Sequence, residues 1–210
     1  MDKTIISGDK SYGAGIGTMY TATVGVNGQG FVAQGITFRN IAGPKMLQAV
    51  ALRAEADFLT FYQCRFEGYQ DTLYAKYGRQ FYRDCDILGT IDFICGDAAA
   101  VFQNCLIEVR QRQYITVTAQ QRDVETLLTG QVLQNCTLKA TSDLEKAGNI
   151  TMYLGRPSLL ENGRFPTAKT VGIRSEIMYF RLLSDRIWSV GKKLVGKQFP
   201  TESVGDFRLK

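Results

Sequence analysis

The segment Phe61-Tyr62-Gln63-Cys64 returns as Phe81-Tyr82-Arg83-Asp84-Cys85 and again as Val101-Phe102-Gln103-Asn104-Cys105. A weaker copy, Val132-Leu133-Gln134-Asn135-Cys136, follows. The cysteines fall at intervals of 21, 20 and 31 residues, the last as if one unit carried a longer loop. A period of this length identifies a stacked architecture, in which each unit buries its apolar side chains against its neighbours. Each unit reads as short β-rich pieces separated by Gly, Asn and Asp, such as Gly30–Asn40 and Ala49–Arg53, with no sustained helical period. A hairpin-based sandwich would also supply many short strands. The return of one residue type at one site favours a solenoid, and the fold expected is all-β, a single-domain right-handed parallel β-helix with like residues stacked in ladders.

The same interval separates two aspartates, Asp71 in Gly68-Tyr69-Gln70-Asp71-Thr72-Leu73 and Asp92 in Gly89-Thr90-Ile91-Asp92-Phe93-Ile94-Cys95-Gly96. If one repeat is one coil, they stack on neighbouring coils. Strand spacing of about 4.8 Å would then bring both carboxyl groups to one substrate. Two solvated turn residues or a calcium site are the competing readings. The apolar and aromatic surroundings weaken the first, and the lack of further carboxylates beside either site weakens the second.

The chain has 210 residues, 45% of them hydrophobic, with 21 glycines and 4 prolines, the composition of an ordinary folded unit. It contains no histidine, which removes Ser-His-Asp and Cys-His catalysis and the usual zinc sets. Any acid and base must therefore be carboxylates, with Cys, Lys or Tyr as poorer candidates. Two carboxylates held close cannot both ionise easily, so such a pair divides into a proton donor and an ionised nucleophile or base. Gln70 and Gln48 add neutral amide donors suited to a developing oxyanion, and Arg156 offers a planar fork for a carboxylate. The plain alternatives are a loop amide and a surface ion pair.

A net charge of +5 favours acidic partners in general, but the basic residues are scattered, which argues against nucleic acid. No stretch approaches a membrane span, and the first residues lack the apolar core of a secretory signal. Cys85 and Cys105 would stack on adjacent coils, to be bridged in an oxidising compartment or kept as buried thiols.

The chain resembles the plant-type pectin methylesterases, or pectinesterases. The resemblance rests on Gln48-Ala49-Val50-Ala51-Leu52, Gly68–Tyr74, Gly89–Gly96 and Leu154-Gly155-Arg156-Pro157, in the family's order. Ala42-Gly43-Pro44 and Val117-Thr118-Ala119-Gln120 also fit. The likeness extends to about residue 170, so residues 1–170 are expected to form a partial β-helix and 171–210 a divergent, partly disordered tail. The family is a right-handed β-helix of carbohydrate esterases acting on methyl-esterified homogalacturonan in the cell wall, outside the cell.

The resemblance implies Asp92 as nucleophile, Asp71 as acid and base, and Gln70 as oxyanion donor. Gln48, Arg156 and Thr18 would bind substrate. It further implies a Cys85–Cys105 disulfide, no cofactor or metal, a monomer, and a proteinaceous pectinesterase inhibitor as a partner. Three departures stand out: an upstream Gly-x-Tyr-x-Glu segment is not found, Ser158 replaces a tryptophan, and Cys95 replaces a phenylalanine. They motivate an alternative, a catalytically impaired polygalacturonate-binding remnant. A β-helical enzyme cleaving the glycosidic bond fits the motifs less well.

Overall fold

Buried and outward residues alternate along strands of only two to six residues through most of the chain, and the buried ones share a single interior. This computed structural model describes residues 1, 3–120, 129–146, 151–155 and 178–181. The chain winds as a right-handed parallel β-helix in which every coil supplies one strand to each of three sheets, here A, B and C. The first coil comprises β1 (Thr4–Gly8), β2 (Val24–Val26) and β3 (Val32–Gln34), and the second β4 (Ile36–Asn40), β5 (Leu52–Glu55) and β6 (Leu59–Tyr62). The third follows with β7 (Arg65–Glu67), β8 (Leu73–Tyr77) and β9 (Arg79–Arg83), and the fourth with β10 (Asp86–Gly89), β11 (Ile94–Cys95) and β12 (Ala99–Gln103). The fifth opens with β13 (Leu106–Val109) and β14 (Tyr114–Ala119).

The long β15 (Gly130–Ala140) then pairs with β12 in sheet C and, after turning the corner, with β13 in sheet A. It joins the two sheets into an 11-stranded one, while sheet B remains a separate six-stranded sheet ending at β16 (Thr151–Gly155). The described part of the expected tail is β17 (Met178–Arg181), antiparallel to β15; the rest of 171–210 lies outside the described residues. Among the described residues no helix is long and apolar enough to cross a membrane.

Inward side chains stack coil upon coil. Ala33, Phe61, Tyr82, Phe102 and Leu133 are partners in register on sheet C, and the Tyr82 ring lies 4.9 Å from Phe61 and 4.7 Å from Phe102. Phe38, Phe66, Ile87, Ile107 and Leu138 form the matching column on sheet A. The one buried hydroxyl in the aromatic stack is satisfied, because Tyr82 donates to Gln80, whose amide donates in turn to the Ala54 and Tyr77 carbonyls. A short helix, α1 (Ser142–Lys146), inserts Leu144 into the same core.

The corner from sheet C to sheet A repeats as well. Gln63, Asp84, Asn104 and Asn135 all adopt left-handed backbone, each immediately before a cysteine. The thiols of Cys64, Cys85, Cys105 and Cys136 then form a buried column. The stacking expected for Cys85 and Cys105 is present, but the disulfide is not: all five cysteines are free. The Cys85 Sγ donates to the Phe61 and Arg83 carbonyls at 3.4 and 3.3 Å. The Cys105 Sγ does the same with Tyr82 and Gln103 at 3.6 and 3.4 Å. Each thiol is thus satisfied as a neutral donor by its own coil and the one before. Hydrogen bonding with the neighbouring Cys136 and Cys85 thiols, together with burial, pushes Cys105 far above the ordinary thiol range.

Candidate active site

The corner from sheet A to sheet B gathers the polar residues singled out above. Gln48 lies on this connection in the second coil, Gln70 and Asp71 in the third, and Asp92 in the fourth. Gln48 and Gln70 pair in parallel register, with the Ala49 amide donating to the Gln70 carbonyl at 3.1 Å. Next in line, the Asp71 amide donates to the Ile91 carbonyl at 3.1 Å and Leu73 to Phe93 at 2.9 Å. Since Leu73 is also the register partner of Ile94, Asp71 and Asp92 occupy matching positions on adjacent coils. The four side chains therefore form one strip across three coils.

Both aspartates are turn residues in the strict conformational sense. Asp71 has φ 59° and Asp92 φ 50°, in the left-handed region that Asp tolerates better than most residues. The glycines flanking Asp92 are sterically required. A Cβ on Gly89 would lie 2.2 Å from the Phe93 Cβ, and one on Gly96, at φ +105°, would lie 2.3 Å from the Ala75 carbonyl oxygen. The segment from Gly89 to Gly96 is thereby pressed against the coil below, and Asp92 is held only 9% exposed.

Thr116, on β14 in the fifth coil, secures Asp92 from the other side. Its hydroxyl accepts from the Asp92 amide at 2.8 Å and donates to the Asp92 Oδ1. Sequence reasoning missed this residue. The only signal was its place just before Val117-Thr118-Ala119-Gln120, because the longer fifth coil obscures the period. One polar atom of the Gln48 amide, Oε1, is buried without a partner among the described residues. Arg110 stands along the strip, donating to the Gly68 carbonyl at 2.8 Å with its guanidinium 4.4 Å from the centre of the Tyr69 ring.

Cys95, beside Asp92, is no competing nucleophile. Burial first, then the negative charges of Asp71, Asp92 and Asp97, push its thiol well above the ordinary range. Burial likewise raises Tyr74, its register partner on β8.

Thr18 lies in the first coil on the same corner, in a 3-10 turn from Thr18 to Tyr20. Its neighbour Met19 is drawn over the outer face of sheet B, where Arg53 donates to its carbonyl at 2.8 Å and the Lys76 Nζ stands 3.4 Å from its sulfur. Thr18 is thus separated from Asp71 by the whole second coil. Arg156 and Ser158 lie outside the described residues.

A parallel β-helix carrying paired aspartates and paired amides at one corner, with no histidine in the chain, defines a β-helical protein with a carboxylate-based site. The pectinesterase family model matches residues 1–177. Over 158 residues the chain is 54% identical to the probable pectinesterase/pectinesterase inhibitor 17 of Arabidopsis thaliana and 52% identical to pectinesterase 2 of Citrus sinensis. Each match covers 74% of this chain and 31% of the relative. Among solved structures, pectin methylesterase from carrot superposes with a TM-score of 0.72 at 46% identity, over 73% of this chain and 50% of that one. The chain belongs to the pectinesterase family. It spans about a third of the length of the curated relatives it matches.

Proposed function

We propose that this chain hydrolyses the methyl esters of galacturonate units in pectin, releasing methanol. The observation that carries the reading is the stacking of Asp71 on Asp92, with Gln48 and Gln70 alongside. The Asp92 carboxylate attacks the ester carbonyl, and the Gln70 amide, with Gln48 nearby, donates to the oxyanion that forms. Thr116 orients Asp92 by holding its Oδ1. Collapse of the tetrahedral intermediate expels methoxide, which takes a proton from Asp71 and leaves as methanol. Asp71, now ionised, accepts a proton from water as that water attacks the acyl-enzyme. The products are a galacturonate carboxyl group and free Asp92, and Asp71 is reprotonated for the next cycle.

Arg156 is assigned to pairing with Asp92 and positioning substrate, and Thr18 to contacting the sugar chain farther along the corner. Support for these two roles comes from the motifs Leu154-Gly155-Arg156-Pro157 and Gly17-Thr18. The setting proposed is the cell wall, outside the cell, with a proteinaceous pectinesterase inhibitor as a partner. Titration of new carboxyl groups alongside methanol and reducing ends tests the reaction class. Acid and methanol should appear in equal amounts without new reducing ends, whereas reducing ends without methanol would assign the site to the glycosidic bond.

A further inference from the structure

The corner between β13 and β14 is longer than the corner it stacks on. Gly89 pairs with Val109 and Ile94 with Thr118, so the fifth coil takes four more residues than the fourth to pass from sheet A to sheet B. The ends of this excursion are pinned to the fourth coil. The Arg110 amide donates to the Gly89 carbonyl at 2.8 Å, and the Thr116 amide to the Thr90 carbonyl at 3.2 Å. From these two ends a side chain acts on each half of the site. Thr116 holds Asp92 through its amide and its Oδ1. Arg110 reaches past the fourth coil to the third. There one guanidinium nitrogen donates to the Gly68 carbonyl at 2.8 Å, and the guanidinium carbon stands 4.4 Å from the centre of the Tyr69 ring. Gly68 and Tyr69 are the two residues that precede Gln70 and Asp71. Their turn is also tied to the fourth coil, with the Thr90 amide donating to the Tyr69 carbonyl at 2.8 Å and the Thr72 hydroxyl to the Leu88 carbonyl at 2.9 Å. Asp71, at φ 59°, needs such ties, because left-handed backbone persists only where its surroundings fix it.

We infer that the β13–β14 connection is a brace for the site, in which Thr116 fixes Asp92 and Arg110 fixes the turn that carries Gln70 and Asp71. This rests on the pectin reading above. In that reaction the Gln70 amide must meet the oxyanion formed at Asp92, and Asp71 the departing methoxide. The placement of the two turns therefore has to be held closely, since small misplacements of reacting groups are costly. A single connection that grips both turns holds them at the corner itself. A charge-assisted bond to a carbonyl and a cation over a ring act together at Arg110, and a lysine reproduces the first without the planar fork. Arg110 is a positioning residue: its guanidinium is engaged by Gly68 and Tyr69 and takes no part in bond making.

The test compares the full chain with Arg110→Met, which keeps an unbranched stem, with Arg110→Lys as the conservative variant and Arg112→Met as the control. Arg112 lies on the same connection but donates to the Pro44 carbonyl in the second coil. On methylated pectin Arg110→Met should lower kcat about ten-fold with KM changed less than about two-fold, and Arg110→Lys should recover part of the loss. Arg112→Met should leave kcat within about two-fold of the parent. A rise in KM at unchanged kcat would make Arg110 a substrate contact, and equal losses in Arg110→Met and Arg112→Met would reduce the effect to charge; either overturns the brace. Hydrogen exchange separates this inference from the esterase reading, because it needs no turnover. Arg110→Met should speed exchange about ten-fold at the amides of residues 68–72 and leave β8 unchanged. If the parent releases no methanol, that local loosening still supports the brace, and unchanged exchange in the turn removes it.

Discussion

At the scale of single residues, the site depends on how Asp92 is held. Thr116 both accepts from its amide and donates to its carboxylate, so the isosteric Thr116→Val removes two hydrogen bonds without changing volume much. Losing a hydrogen bond to a charged group should lower kcat about ten-fold or more, with KM moving less. Steady-state kinetics on methylated pectin checks this, and an unchanged kcat would show that the glycines alone position Asp92. A second residue-scale prediction concerns pH. Hydrogen bonding from Arg79 holds Asp57 at about 2, below its ordinary 3.8. The folded chain therefore binds fewer protons than the unfolded one in that window. The stabilisation is present above the ordinary value and lost as pH falls through about 2. The pair is largely solvated, so the effect on Tm is small. Asp57→Asn should melt below the parent near neutral pH, and the gap should close towards pH 2; a gap independent of pH would contradict the assignment.

At the scale of elements, stacked ladders decide both stability and what could be foreseen. Phe102 is clamped between Tyr82 and Leu133 by backbone pairing on both sides, so a cavity there cannot collapse easily. Phe102→Ala should cost about 3–5 kcal/mol in denaturant unfolding. Phe31→Ala, at the open end of the same sheet and already 38% exposed, should cost far less. Equal losses would mean that the ladder is not the unit of stability. The aromatic and cysteine columns were legible because every coil of 20 or 21 residues returns them to one site. The Asp71–Asp92 stack was legible for the same reason. Thr116 was not, because its coil breaks the interval. The disulfide shows a different limit. Spacing places Cys85 beside Cys105, but only the carbonyls around each thiol reveal that both are already satisfied as donors.

At the scale of the molecule, the β-helix converts a repeat in sequence into a line of side chains in space. Gln48, Gln70, Asp71 and Asp92 need no long-range search to meet, since each is delivered by the same corner of the next coil. On the outer face of sheet B, Met19 of the first coil meets Arg53 of the second and Lys76 of the third. Asp92 is the proposed nucleophile of an ester hydrolase built on this line. Methanol release from highly methylated pectin by the purified chain and by its Asp92→Ala variant tests it most directly, with circular dichroism confirming that both are folded. The parent should release methanol and the variant none above background. Release that survives Asp92→Ala, or a folded parent that releases none, would contradict that assignment.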